Sequence, residues 1–200
     1  MSDRIPSICA DQYVNPPNWA IQQRRLIDLM NQAGVFYANQ YVRSDNTLIW
    51  KDSWPGMDGS DDAYESFWTF PLFYLVGGSE QIHQMSRQLW DSITWQFTEY
   101  GQIYREFDAY YDWMHHGESY SYLYYLGLCD PFVFKDRQRA RRFASFYLDE
   151  DSEARNYDPD RKLIRSPLNG SRGPRLEMSR EDWSTHRDVL SNYPAPYEDI

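Results

Sequence analysis

Two short stretches hold the side chains best suited to acid–base chemistry: His-His-Gly-Glu at 115–118, and WPGMDGSDDAYESFW at 54–68. Histidine titrates nearest neutral pH. Paired carboxylates act as general acid and base in glycoside cleavage when apolar surroundings keep one protonated. Asp58 and Asp61 lie in glycine-flanked loop with no evident structural duty, whereas Asp62 and Glu65 have the spacing of a capping box that opens a helix. His115, His116 and Glu118 admit three roles: metal ligands, a base with its orienter, or sugar contacts. Adjacent histidines on a loop point apart, and H-H-x-E is not the H-E-x-x-H pattern, so no metal site is expected. Glu118 is also what a helix N-terminus favours. Trp54, Trp68 and Trp113 flank these groups and offer flat faces on which a ring can stack.

A third stretch, RKLIRSPLNGSRGPR at 161–175, holds Arg172 among several arginines. Guanidinium forks bind carboxylates in bidentate fashion, so a uronic acid is a natural guest; the plainer reading is a solvated loop paired to the acidic remainder. KDRQRARR at 135–142 reads as the solvated face of a helix. There is no G-x-S-x-G elbow, no P-loop and no dinucleotide fingerprint. Accordingly, no cofactor is expected.

Composition narrows the classes. The chain has 200 residues, 8 Trp, 17 Tyr and 10 Phe, and a net charge of −10. Amphipathic rings in such number suit a part-buried, part-wet groove for a hydroxylated ligand, or an aromatic core. The negative charge argues against nucleic acid as a partner. The acids cluster between Asp45 and Glu65, and the arginines between Arg161 and Arg180. Cys9 and Cys129 are too few for a disulfide framework. No window approaches 18 apolar residues, which argues against a membrane span, and residues 1–18 lack a secretory apolar core. A cytoplasmic location is the expectation, unless the chain belongs to a longer protein.

The elements that must position these groups read as all-α. After a polar lead-in at 1–18, apolar residues from Trp19 to Tyr41 recur at three- and four-residue steps, the mark of one long amphipathic helix. A second helix is expected from Asp62, broken near Pro71 and ended at Gly77-Gly78-Ser79. Another runs through Ile82, Leu89 and Ile93, and a short one spans Glu118 to about Leu126. The last, with Asp130 as cap and Pro131 at its first position, reaches about Leu148. No stretch alternates convincingly enough for a strand. The helical hairpins thus occupy 19–150. Residues 151–200 form a long arginine- and proline-rich, loop-like segment expected to pack on the helices, because structureless segments of that length in a compact domain are usually functional loops or tails.

Aromatic-rich helical hairpins, with WPGMDGSDDAYESFW followed by WMHHGE, resemble the six-hairpin, (α/α)6-toroid glycosidases over roughly residues 19–150. The resemblance implies a carbohydrate cleft at one end of the toroid. It also implies a glycoside hydrolase-like activity on an oligosaccharide that can contain uronic acid. Asp61 or Glu118 would protonate the leaving oxygen or activate water, His115 or His116 would tune that acid, and Trp54, Trp68 and Trp113 would stack on sugar rings, with Asp58 and Arg172 as further contacts. A polysaccharide lyase of toroid type and a non-catalytic glycan-binding module are the alternatives. A full toroid needs twelve helices and the sequence supplies five or six, so an incomplete, N-terminal portion of a toroid is the expectation.

Overall fold

The computed structural model describes residues 12, 14–49, 59–99, 103, 106, 117–152 and 155–164. Their helices are α1 (Asn18–Tyr41), α2 (Gly59–Glu65), α3 (Phe70–Leu75), α4 (Glu80–Glu99), α5 (Gly117–Cys129) and α6 (Phe134–Ser145). A two-residue antiparallel pairing follows, β1 (Tyr157–Asp158) with β2 (Leu163–Ile164). The described part is therefore predominantly helical, as the periodicity predicts. Its small hairpin was not expected from the pattern. Asp158 builds that turn, its carboxylate accepting from the backbone N–H of Asp160 at 3.0 Å and of Arg161 at 2.9 Å. The N–H of buried Asn156 donates to Phe146 O at 3.2 Å and ties this segment to the end of α6. Residues 165–200 lie outside the described residues.

α5 is the hub, touching α2, α3, α4 and α6. Its core-facing residues Tyr122, Leu123 and Leu126 meet Trp90, Ile93 and Phe97 of α4, Tyr64 of α2 and Phe67 just beyond it. Burying so many amphipathic rings requires partners for their polar ends. Tyr64 Oη and Thr94 Oγ1 lie 2.6 Å apart, Trp90 Nε1 donates to Ser119 O at 2.9 Å, and the Tyr122 hydroxyl donates to Ser86 O at 2.7 Å. Much of the tyrosine in 119–126 is thus inner wall. Burial pushes the Tyr122 phenol far above its usual range, against the hydrogen bond with Ser86.

Several boundaries fall where local chemistry demands. α3 carries Pro71 in its first turn, so the break before it is at the proline's N-terminal side. At its end Gly77 adopts φ +116° and donates to Tyr74 O, while Gly78 donates to Phe73 O at 2.9 Å. A Cβ on Gly78 would stand 2.9 Å from that same carbonyl oxygen, so only glycine fits. Ser79 then starts α4, its N–H held by Asn31 of α1 at 2.8 Å.

Three expectations need correction. α2 begins at Gly59, which puts Asp62 inside the helix and Glu65 at its last residue, so the pair is not a capping box. α6 begins after Val133 rather than at Pro131, because Asp130 spends its carboxylate on a turn that accepts the Phe132 N–H at 3.4 Å. The stretch 135–142 is not simply a solvated face, since Asp136 and Arg139 are buried. Arg139, 7% exposed, lies 4.3 Å over the Trp90 ring and pairs with Asp91 at 2.6 Å and Glu106 at 3.0 Å.

Candidate functional site

Between the C-terminal half of α1 and the end of α2 lies a cleft of about 530 Å³, lined by Tyr37, Tyr41, Leu48, Ile49, Asp62, Glu65, Ser66 and Phe67. Buried Leu48 and Phe67 form its apolar floor. Tyr37 and Tyr41, one helical turn apart on α1, stand with ring centres 4.7 Å from each other, and Tyr37 packs at 5.6 Å on Phe67. Both tyrosines keep substantial exposed surface. The acids come from α2: Asp62 and Glu65 are one turn apart, both exposed. Glu65 sits at a helix C-terminus, where the dipole disfavours a carboxylate. Its place there has no capping or dipole explanation. Ser66 Oγ donates to Asp62 O at 2.9 Å, which leaves its oxygen lone pairs toward other donors.

The remaining wall is the turn 43–49, fastened from below. Gln96 of α4, itself buried, accepts from the Leu48 N–H at 2.8 Å and donates back to Leu48 O at 3.1 Å. Arg43 also donates to Leu48 O, and the Asp45 carboxylate accepts from the Thr47 hydroxyl at 2.6 Å and the Thr47 N–H at 3.0 Å. These Thr47 hydrogen bonds hold the Asp45 carboxyl below its usual value. Val42 pairs with Leu48 as an antiparallel bridge, closing the turn on itself.

A second polar cluster lies at the opposite side of α4's first turns. His83 is buried and stacked on Tyr74, ring centres 4.4 Å apart and 11° from parallel, and the Tyr74 hydroxyl donates to Glu80 at 3.1 Å. Burial first, then the Arg87 charge, pushes the His83 imidazole below its ordinary value. The Cys129 thiol donates to Pro71 O, and burial raises it. Such a thiol is poorly reactive. Among the described residues no group of three or more His, Cys, Asp and Glu side chains comes together as a metal site.

The residues singled out from sequence are distributed unevenly against this geometry. Trp54, Asp58, Trp113, His115, His116 and Arg172 lie outside the described residues. Asp61 stands in α2, one position before Asp62, with its side chain outside the description. Glu118 is half-buried in the first turn of α5, the helix against which α2 packs. Trp68 is half-buried against Tyr125, ring centres 6.0 Å apart, and does not line the cleft. The cleft residues themselves carry plainer readings in the sequence: Tyr37 and Tyr41 as the apolar face of a helix, Asp62 and Glu65 as caps. The signal that could have found them is the density of acids between Asp45 and Glu65 directly after an aromatic helix end.

No described helix is long and apolar enough to cross a membrane. No curated protein and no solved structure matches the chain. One family model does, over residues 7–200, nearly the whole length: a domain of unknown function, DUF8034. The chain belongs to that family.

Proposed function

We propose that this is a carbohydrate-active protein, glycoside hydrolase-like, whose ligand occupies the cleft between α1 and α2. One observation supports this most: two exposed tyrosine rings and two carboxylates, Asp62 and Glu65, border a single cleft with an apolar floor. Sugar rings present apolar faces that stack on aromatics and hydroxyls that donate to carboxylates. A volume near 530 Å³ falls within the roughly 300–1,000 Å³ typical of small-ligand sites. In this reading the acids of α2, Asp61 included, supply general acid and base to the glycosidic oxygen and to water. Glu118 stands in the first turn of α5, the helix on which α2 packs, and does not line the cleft.

The test is a panel of neutral and glucuronide oligosaccharides incubated with the purified chain, scored by reducing-end release. Turnover should occur on at least one substrate and fall at least 10²-fold in Asp62→Asn or Glu65→Gln, the range general acid–base catalysis contributes. Tyr41→Ala should weaken binding of the same sugar with little change in fold. Ultraviolet absorbance from an unsaturated product would reassign the chemistry to elimination. Binding by calorimetry without turnover would leave a glycan-binding module. No binding of any member of the panel would end the carbohydrate reading.

A further inference from the structure

We propose, resting on the carbohydrate reading of the cleft between α1 and α2, that its guest carries an ammonium group. On that reading the guest is an amino sugar with a free amine, in preference to a neutral or a uronic one. The charge of the cleft is one-sided. Among the described residues that line it, Asp62 and Glu65 carry charge and none is Lys, Arg or His. The C-terminal half of α1, from Asn31 to Tyr41, holds no charged residue, and α2 holds Asp61, Asp62 and Glu65 without a base. Arg43, the cation of the adjoining turn, is directed to that turn's own Leu48 O and, at 3.3 Å, to Thr47 Oγ1.

The helices reinforce the sign. Tyr41 ends α1 and Glu65 ends α2, so both helices turn their carbonyl ends, the negative poles of their dipoles, toward the cleft. Neither last turn holds a basic residue to offset that pole. Glu65 has no hydrogen-bond or ion-pair partner among the described residues, and the like charge of Asp62, one turn earlier, repels it. A carboxylate so placed is disfavoured in the empty protein and favoured once a cation arrives.

The rings define what kind of cation. Tyr37 is 39% exposed and Tyr41 48% exposed, and their planes stand 52° apart; Tyr37 and Phe67 stand 54° apart. A flat pyranose stacks on one ring of such a set. A compact cation draws on several tilted rings at once, as in the aromatic cages that hold alkylammonium groups. The apolar floor of Leu48 and Phe67 suits the carbon skeleton behind the nitrogen and offers a hydrated metal ion no oxygen. Two carboxylates also fall short of a metal's ligand set, and no larger group assembles among the described residues. A uronate would bring a further negative charge against Asp62 and Glu65, with no cation in the described lining to receive it.

Calorimetric titration of the full-length chain should show a glucosamine oligomer binding at least roughly 10-fold more tightly than its fully N-acetylated counterpart of equal length. The counterpart has the same rings and no charge. The preference should shrink at high ionic strength. Glu65→Gln, at an exposed position, should remove most of it. Asp28→Asn, an exposed acid earlier in α1, should leave it intact. Equal affinity for the free and acetylated amines overturns the proposal and leaves the carbohydrate reading standing. A loss in Asp28→Asn as large as in Glu65→Gln also overturns it, because the attraction would then belong to the whole −10 chain. A butylammonium salt is the arm without a sugar. If it binds as tightly as the glucosamine oligomer, the ammonium site stands and the carbohydrate reading falls. If neither binds, both fall.

Discussion

His83 shows how one buried side chain sets a pH limit. Its imidazole lies flat on Tyr74, and no described group pairs with its Nδ1. Burial and the Arg87 charge lower its pKa in the folded state, against the opposing pull of Glu80 and Asp130. A base with a lowered folded pKa binds more protons unfolded than folded, so it supports folding above the unfolded value of about 6.5 and works against it as pH falls below that. His83→Phe keeps the stacking surface and cannot protonate. Between pH 7.5 and pH 5.5, wild type should therefore lose stability relative to His83→Phe in urea titrations. A difference between the two that does not vary with pH would show that the imidazole protonates as readily in the folded chain as in the unfolded one. At this scale the sequence was least informative. That His83 meets Tyr74 follows from how α3 and α4 pack, and no local pattern marks it.

Elements were easier to read. The bounds of α1 followed from the period of its apolar residues, and the stop after α3 followed from two adjacent glycines. The stop has a sharp energetic consequence. Gly78→Ala would press a methyl group against the Phe73 ring and, at 2.9 Å, against the Phe73 backbone carbonyl, which cannot move aside as a side chain can. It should destabilise the fold by about 1–3 kcal/mol in denaturant titration. Gly127 lies inside α5 with nothing within 4 Å of its missing Cβ. There the same change should stabilise by roughly 0.5–1 kcal/mol, the helix preference for alanine. Equal effects at the two sites would mean that neither close approach nor helix propensity governs them. Element boundaries depart from the sequence pattern where context overrides a cap motif. Asp62 and Glu65 have capping-box spacing, yet α2 extends back to Gly59. Asp130-Pro131 has a helix-start signature, yet the aspartate closes a turn instead.

At the scale of the molecule, charge does what the hydrophobic core alone would not. Arg139 links α6 to Asp91 on α4 and to Glu106 in the segment between α4 and α5, while Arg87 joins α4 to Asp136 at 2.8 Å and to Asp130 at 3.7 Å. These partners lie 33 to 49 positions apart in sequence, which is why an arginine-rich helix looked merely solvated. Removing one member of a fully buried pair costs about 3–5 kcal/mol. Asp91 and Glu106 retain contact with water, so Arg139→Met should cost less, on the order of 2–3 kcal/mol by chemical denaturation. Arg139→Lys should recover part of this, since it keeps the charge but not the fork. If Arg139→Met were neutral, the cation over Trp90 would be dispensable to the packing of α6. The predominantly helical character was legible because it depends on local periods. The cleft was not, because Tyr37 and Glu65 meet only through tertiary packing. The toroid architecture stays a proposal, together with the function it suggests.

Gln96 has a consequence for how the cleft breathes. Its side-chain amide offers Leu48 one acceptor and one donor, as a neighbouring strand would, so the turn behaves as an edge strand laid on a single residue of α4. Exchange of the Leu48 amide proton with solvent then requires release from the buried Gln96 in the last turn of α4. The cleft's wall keeps time with the core beneath it, and a guest would meet a surface already held in place.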